Sequence, residues 1–227
     1  HFATFAPGMK TIDDALELRS RIFWAFEQAE LSEDPEQVRR LLTFSVVGAG
    51  PTGVEMAGQI RELASKTLRR DFRDIDPSSA RVILIDGADQ VLPPFGPTLG
   101  AKTQRSLESM GVEVMLGAIV TDLDASGLTV KRKDGSTERI DCSCKVWAAG
   151  VQASDLGATL ARQSGASLDR SGRIAVEPDC SLPGHPEVFV VGDLMNVQGV
   201  PGVAQGAIQS AKHVAKIIAA REIGRAS

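Results

Sequence analysis

Apolar residues recur at helical spacing in the first part of the chain. Because residues three and four apart share one face of a helix, the stripe predicts an amphipathic helix. Thr11 and Asp14 form a capping-box pattern at its start, and Asp34 followed by Pro35 predicts the N-cap of a second, short helix. Two further helical patterns follow. One begins near Val54, and the other has Thr98 as its predicted cap and runs through Met110. The stripe of the first helix consists of Ala15, Leu18, Ile22, Phe26 and Ala29.

Short, mainly apolar runs separate these helices and predict buried strands. Three of them, at residues 44–48, 81–86 and 112–116, alternate with the helices. This β-α-β-α-β order is typical of a parallel sheet with right-handed crossovers. A fourth run, at 145–150, would complete that sheet.

Between residues 118 and 142 apolar and polar residues alternate, which is typical of half-buried strands. Two turn signals divide this region into segments 118–123, 128–133 and 137–142, and an antiparallel three-stranded meander is predicted. Beyond residue 150 we expect many loops and a hairpin-like turn at 169–172. A last apolar strand at 187–193 and a final helix at 203–220 follow. The predicted fold class is therefore α/β, a Rossmann-like parallel sheet with an antiparallel meander.

The first strand leads into a glycine-rich turn that opens a helix. Gly48 permits a tight turn, Gly50 lets the backbone approach a phosphate, and Gly53 lets the helix pack close to the sheet. The helix N-terminus offers free N–H groups and a partial positive charge of roughly half a unit. This turn, with Pro51 and Thr52 inside it, predicts the pyrophosphate site of a dinucleotide. The spacing alone is common, so the strand before it and the helix after it carry the prediction.

An acid at the end of the next strand is the first test of that prediction. Asp86 ends the run at 81–86, where a carboxylate can hold both hydroxyls of an adenosine ribose. It would also repel a 2′-phosphate, so NADH is favoured over NADPH. The alternative is a solvated aspartate with no ligand.

Glu55 follows Gly53 by two residues and is expected in the first turn of the helix. An acid there is stabilised by the helix dipole, and this alone would explain it. The same turn lies near the place where a nicotinamide would meet an electron acceptor, so Glu55 is also a candidate for orienting the ring or relaying protons.

A second strand–acid–helix arrangement lies near the C-terminus. Gly192 and Asp193 end an apolar strand, and Asp193 could accept hydrogen bonds from a polyol. The amides near Val203 and Ala204 open the final helix and could meet an anion or a ring carbonyl. Gln205 and Gln209 share one helical face, where two amides are otherwise usual surface residues.

The composition and charge of the chain argue against several classes of binding partner and site. A net charge of −4 leaves no basic footprint for nucleic acid. The cysteines, Cys142, Cys144 and Cys180, are too few and too irregularly spaced for a disulfide framework or a zinc site, which indicates a reduced intracellular setting and no metal. No CxxC or CxxxxC is present, and no apolar run approaches the roughly 18 to 20 residues that cross a bilayer.

Taken together, these blocks resemble the flavin-dependent pyridine nucleotide oxidoreductases, most closely the type II NADH dehydrogenases that reduce quinone. The most specific block is Ala204-Gln205-Gly206-Ala207-Ile208-Gln209 after the Gly192-Asp193 pair. The others are residues 6–11 with 13–15, the glycine turn at 46–58, residues 146–151 and residues 188–193. The resemblance covers nearly the whole chain.

The resemblance implies an NADH domain at residues 41–150, inserted in an FAD domain represented by residues 1–40 and 151–227. Ala149 and Gly150 would lie near the nicotinamide half of NADH, and Glu55 near both rings. Asp193 would bind the ribitol of FAD and Ala204 would lie near its isoalloxazine. Gln205 and Gln209 would line a quinone pocket. The implied reaction is hydride transfer from NADH C4 to flavin N5, followed by two electrons and two protons to quinone.

The sequence departs from the family in two ways, and both bear on the activity that the resemblance implies. A second GxGxxG, which would cradle the FAD pyrophosphate, is absent, so the flavin site is incomplete. The chain also ends at Ser227, where relatives continue into a region that attaches them to the cytoplasmic face of a membrane. We therefore expect a soluble fragment, inactive alone, of a peripheral membrane protein that could form homodimers. The alternatives are a soluble NADH oxidase, a ferredoxin reductase-like enzyme, or a non-catalytic NADH-binding module.

Overall fold

The structure is a computed structural model, and it describes residue 2 and residues 4–150, 153–197 and 200–224. Val151, the last residue of one motif above, lies outside the described residues. The chain divides into two compact units, residues 1–149 and residues 150–227.

A four-stranded parallel sheet forms the centre of the first unit. Its strands are β1 (Thr43–Val47), β2 (Arg81–Asp86), β3 (Val112–Leu116) and β7 (Cys144–Trp147). Their order is β3-β2-β1-β7, so the three sequential strands and the fourth run lie in one sheet, as predicted. The register places Val47 beside Ile85, and Asp86 beside Leu116.

Helices cover one face of this sheet. The alternation of side chains along β2 shows the two faces, because Val82 and Leu84 pack in the cluster with the helices, whereas Ile83 and Ile85 pack in the other. The helices of this unit are α1 (Ile12–Leu31), α2 (Pro35–Leu41), α3 (Pro51–Glu62) and α4 (Gly96–Met110). A π-helical turn, Leu63–Thr67, continues α3.

The ends of the first two helices are as predicted. The Asp14 N–H donates to Thr11 Oγ1 over 3.1 Å, and Asp14 Oδ2 accepts from the Thr11 N–H over 2.8 Å, which completes the capping box. Asp34 caps α2 by accepting from the Glu36 N–H over 2.9 Å. The predicted apolar stripe of α1 faces the core, where Phe26 stacks on Phe44 of β1 at 5.2 Å.

The predicted cap of the fourth helix is wrong. Thr98 lies inside α4, which begins at Gly96 with Phe95 in the cap position and no side-chain cap. Pro97 explains the earlier start, because its fixed φ suits the first turn of a helix and its missing N–H needs no partner there.

The antiparallel meander packs on the other face of the sheet. It has the order β4-β5-β6, formed by β4 (Ala118–Leu123), β5 (Gly127–Arg132) and β6 (Thr137–Asp141). Buried Lys145 of β7 joins the layers, because its Nζ donates to the carbonyls of Cys142 (2.9 Å) and Ala125 (3.1 Å). Burial lowers the pKa of this amine. The pattern of residues in the sequence did not predict these hydrogen bonds of Lys145.

Residues 1–40 pack within the same compact unit as the parallel sheet. Their assignment to a flavin domain therefore rests on the resemblance and stays a prediction. Among its described residues, the second unit has the helices α5 (Leu156–Ser164) and α6 (Ala204–Glu222) and four short strands. The strands are β8 (Ile174–Ala175), β9 (Ser181–Leu182), β10 (His185–Phe189) and β11 (Met195–Asn196).

The last predicted strand, 187–193, differs in its bounds. β10 begins at His185 and ends at Phe189, pairing antiparallel with β9. Gly192 has a φ of +69°, outside the β region, and a 3₁₀ turn covers Gly192–Leu194, so the strand cannot continue to Asp193. The final helix agrees with the prediction within two residues. Among the described helices, none combines the length and apolar character that a bilayer span requires.

Candidate nucleotide site

The turn between β1 and α3 is tight because Gly48 adopts a φ of +108°, a backbone conformation that strains other residues. The chain following β7 also passes close by. A Cβ on Gly48 would lie 2.6 Å from the Ala149 nitrogen, so a side chain has no space there. The prediction that Gly48 permits a tight turn is confirmed. The close approach of the chain near Ala149 is a second reason for glycine at this position.

Gly53 and Gly50 serve different needs. A Cβ on Gly53 would lie 1.7 Å from the Gly48 carbonyl oxygen, so glycine is what brings the helix against the turn. A Cβ on Gly50 would meet nothing within 4 Å among the described residues, and its φ of −73° suits any residue. Packing therefore does not require glycine at position 50, and the space in front of it is open to a ligand.

The N-terminus of α3 points toward this open space without a side-chain cap. Gly50 is the N-cap residue, Pro51 occupies the first helical position, and the Val54 N–H donates to the Gly50 carbonyl over 3.0 Å. Thr52 and Gly53 follow Pro51 within the first turn, where N–H groups have no partner inside the helix. The uncapped turn can therefore bind an anion, and the diphosphate of a dinucleotide fits it.

Asp86 stands at the end of β2, beside the glycine turn, as the sequence predicted. Its Oδ2 accepts from the Ala49 N–H over 2.5 Å, and its Oδ1 accepts from the Ala88 N–H over 2.7 Å. The carboxylate therefore ties the glycine turn to the loop after β2. Each oxygen keeps a lone pair for a further donor, so a ribose diol remains compatible with these contacts.

Glu55 is exposed and lies beyond the first turn of α3. The expectation that it sits in the first turn is wrong, because the helix already begins at Pro51. The dipole effect falls off within the first turn, so capping is a poorer explanation than the sequence indicated. A role beside the nicotinamide stays a prediction.

Ala149 and Gly150 follow the end of β7. Ala149 is half-buried and its backbone passes the glycine turn, through the Ala148 N–H that donates to the Val47 carbonyl over 2.7 Å. Gly150 is exposed with a φ of +72°. Ala149 thus lies at the same edge of the sheet as the turn, where a nucleotide would bind.

In the second unit, Ser210 holds the turn at Gly192. Its Oγ accepts from the Gly192 N–H over 3.2 Å and donates to the Ala207 carbonyl over 3.1 Å, and Ser210 is only 7% exposed. A Cβ on Gly192 would lie 3.3 Å from that of Ala207. Ser210 was not predicted, although it shares the buried face of α6 with Val214 four residues on.

Asp193 is exposed beside this turn, and its Oδ1 would lie 3.7 Å from a Cβ on Gly202. Val203 is the N-cap residue of α6 and, like α3, this helix has no side-chain cap. Ala204, Gln205 and Gln209 are exposed, and the two glutamines share one helical face as predicted. These groups fit part of a polyol and anion site.

The cysteines show no sign of dithiol chemistry. All three are buried and free, and burial raises the pKa of the Cys144 thiol to about 12. A thiol with so high a pKa is a poor nucleophile at neutral pH. Among the described residues, no three His, Cys, Asp or Glu side chains are grouped as a metal site.

Comparison with known proteins gives a consistent result. A sequence profile described as "Pyridine nucleotide-disulphide oxidoreductase" matches residues 5–211. The chain is 63% identical to the type II NADH:quinone oxidoreductase Ndh of Mycobacterium tuberculosis, covering 99% of this chain and 48% of the relative. It is 64% identical to NdhA of the same organism, covering 96% and 46%. The chain thus spans about half the length of these relatives.

Solved structures share the fold. NDH2 of Plasmodium falciparum in complex with RYL-552 superposes with a TM-score of 0.72 at 21% identity, covering 87% of this chain and 40% of that one. The same protein in complex with NADH gives a TM-score of 0.70 at 20% identity, covering 87% and 41%. At such identities the likeness supports the fold.

Proposed function

The chain belongs to the pyridine nucleotide-disulphide oxidoreductase family, and from that membership we propose that it is part of a flavin-dependent NADH:quinone oxidoreductase of type II. The mycobacterial relatives are type II NADH:quinone oxidoreductases by name, and their identity to this chain supports the same substrates. In this proposal residues 41–150 bind NADH, and residues 1–40 and 151–227 belong to the FAD-binding part.

The glycine turn with Asp86 beside it is the observation that carries the proposal. An uncapped helix N-terminus, an open space at Gly50 and a carboxylate at the next strand end occur together at one edge of the parallel sheet. This is the arrangement in which a dinucleotide binds to such a sheet. The amides of Thr52 and Gly53 would hold the diphosphate, and Asp86 would hold the adenosine ribose.

The carboxylate also bears on the choice between NADH and NADPH. A 2′-phosphate on the ribose would place negative charge beside Asp86, and like charges at close range repel each other. The proposed substrate is therefore NADH. Ala149 and Gly150 would position the nicotinamide half, and exposed Glu55 would orient the ring or relay a proton.

The second unit supplies candidate residues for FAD. Gly192 and Asp193 would meet the ribitol hydroxyls, and the uncapped N-terminus of α6 at Val203 and Ala204 would face the isoalloxazine carbonyls. FAD, when bound, would supply the acceptor for the hydride of NADH and the donor of electrons to the quinone.

Gln205 and Gln209 complete the proposal for quinone. Both carry amide groups that can donate to a quinone carbonyl, and both are exposed on one face of α6. Attachment to a membrane surface through a region outside these residues, and pairing of two copies, belong to the same proposal.

Flavin spectroscopy tests this proposal on the longer protein that contains these residues. We expect flavin absorbance that bleaches with NADH and recovers anaerobically with a quinone analogue. Gln209→Ala should slow the recovery and leave the bleaching unchanged, whereas Lys216→Ala, an exposed position farther along α6, should change neither. A protein without flavin, or one that recovers only with oxygen, would contradict the proposal.

A further inference from the structure

A cavity of about 620 Å³ lies at the amino-terminal end of the parallel sheet, within the first unit. Thr43 and Arg81, the first residues of β1 and β2, contribute to its wall. The glycine turn follows the carboxyl end of β1, so the cavity and the candidate NADH site lie at opposite ends of the strands. A volume of this size is in the range of small-molecule sites, roughly 300–1,000 Å³.

Four arginines and two acidic residues, Glu36 and Asp141, line the cavity, and two of the arginines are already paired with carboxylates. Arg81 forms two hydrogen bonds of 2.7 Å with the Glu113 carboxylate. Arg139 donates to Asp124 over 2.7 Å and pairs with Asp141 at 3.5 Å. Because these guanidinium charges are matched, they build the wall and add little attraction for an anion.

Arg40 is different, because no ion pair of Arg40 occurs among the described residues. Its Nε is fully buried and has no hydrogen-bond partner among them. An unpaired buried donor of this kind costs free energy, and it shows that no acceptor of the described residues engages this Nε. The backbone at Arg40 is fixed, since its carbonyl accepts from the Ser143 N–H over 3.0 Å.

Arg39 adds a second guanidinium at the mouth of the same cavity. Its pairing with Glu36 is loose, at 3.5 Å between side chains that are 72% and 87% exposed. Exposed pairs of this type contribute little and yield easily to a better partner. The Arg39 carbonyl accepts from Thr43 Oγ1 over 2.7 Å, which holds this residue against the start of β1.

We propose that this cavity binds a small organic phosphate, with Arg40 and Arg39 holding the phosphoryl group. Guanidinium groups match the geometry of phosphate oxygens, and charge-assisted hydrogen bonds are the stronger class. The cavity is larger than a phosphate alone needs, and Val38, Leu42 and Ile140 give it apolar walls for an organic body. The site is separate from the one proposed for NADH.

Nuclear magnetic resonance of the arginine Nε–Hε groups tests this on the purified 227-residue chain. The probes are phenyl phosphate, inorganic phosphate and benzoate, which separate the phosphate charge from the apolar body. We expect phenyl phosphate to bind most tightly and to shift the Arg40 Nε resonance. Arg40→Gln should weaken this binding at least about tenfold, as loss of charge-assisted hydrogen bonds implies.

Two further variants make the test site-specific. Arg39→Gln, at an exposed position, should weaken binding by a smaller factor, and it keeps the test valid if Arg40→Gln fails to fold. Arg105→Gln, on the exposed face of α4 and outside the cavity, should leave binding unchanged. Because the readout uses no NADH, failure of the proposed enzymatic function would not change it.

Three results would overturn the inference. One is binding of phenyl phosphate that is the same in the Arg40→Gln, Arg39→Gln and unaltered chains. Another is binding of phenyl phosphate that leaves the Arg40 Nε resonance unshifted, which would place the phosphate outside this cavity. The third is benzoate binding as tightly as phenyl phosphate, which would show that the cavity does not prefer a phosphoryl group to a carboxylate.

Discussion

Replacement of Asp86 separates two roles that this side chain could have. In the structure its carboxylate accepts from two backbone N–H groups, of Ala49 in the glycine turn and of Ala88 in the next loop. In the proposed complex it also holds the ribose of NADH. Asp86→Ala removes both sets of contacts, so stability and NADH affinity should fall together.

The size of the stability change follows from those two contacts. Ala49 is fully buried, so its N–H would lose its only acceptor among the described residues without gaining water. An unsatisfied buried donor costs about 1–3 kcal/mol, and the half-buried Ala88 N–H less. We expect the free energy of unfolding in urea to fall by about 2–4 kcal/mol. Asp86→Asn keeps one acceptor oxygen, so its free energy of unfolding should lie between those of the unaltered chain and of Asp86→Ala.

Affinities for NADH and NADPH, measured by calorimetry, then distinguish the roles. If Asp86 contacts the ribose, Asp86→Ala should weaken NADH binding at least about tenfold, or 1.4 kcal/mol. NADPH should lose less or gain, because the charge that repels its 2′-phosphate is gone. Asp89→Ala is the matched control, since this exposed carboxylate pairs with Lys133 and not with the turn.

Equal losses for NADH and NADPH would refute the ribose contact and leave Asp86 as an anchor of the turn alone. Unchanged NADH affinity in a folded Asp86→Ala protein would refute both the contact and the importance of the anchor for binding. A stability equal to that of Asp89→Ala would show that the hydrogen bond to Ala49 contributes nothing measurable.

Three further predictions concern other parts of the chain. Gly53→Ala should lower the urea unfolding free energy by about 1–3 kcal/mol through overpacking, whereas Gly50→Ala should keep stability within about 0.5 kcal/mol and weaken NADH binding in calorimetry. Ser210→Ala leaves a buried N–H unpaired and should cost about 1–3 kcal/mol in the same urea assay. The hydrogen bond from Arg139 lowers the pKa of Asp124 in the folded chain. When the pH is lowered from about 4 to 2.5, the unfolded chain therefore binds more protons than the folded chain, and the free energy of unfolding decreases. Arg139→Gln should flatten that slope in urea titrations across this range, and an unchanged slope would contradict the ion pair.

Much of the first unit could be predicted because its signals are local. Each strand of the parallel sheet is a short, mainly apolar run, and β2 and β3 agree with prediction at both ends. The meander follows from alternation and two turn signals. The bounds that shifted did so for backbone reasons, since β1 ends at Val47 because Gly48 leaves the β region, and α4 begins early because Pro97 allows it.

The contacts that position the candidate site were harder to predict, because they join residues far apart in sequence. The strand end predicted that Asp86 would face a ligand, but not that it also accepts from Ala49 in the preceding turn. Ser210 looks like one more polar residue of an exposed helix until Gly192 is placed beside it. A hydrogen bond between distant segments leaves no periodic pattern, so only the fold reveals it.

The two ends of the parallel sheet illustrate the same limit. At the carboxyl end, the glycine turn is followed by an acid at the end of the next strand. This order is a known sequence pattern, so a dinucleotide site could be predicted from the sequence. At the amino end, α2, β1, β2 and β6 each contribute cavity residues that look ordinary alone: Arg39 and Arg40 resemble basic residues at the end of a short helix. Only their convergence leaves the Nε of Arg40 buried without an acceptor among the described residues. The inference about a phosphate site therefore depends on the three-dimensional arrangement, and the Arg40 resonance measures that arrangement directly.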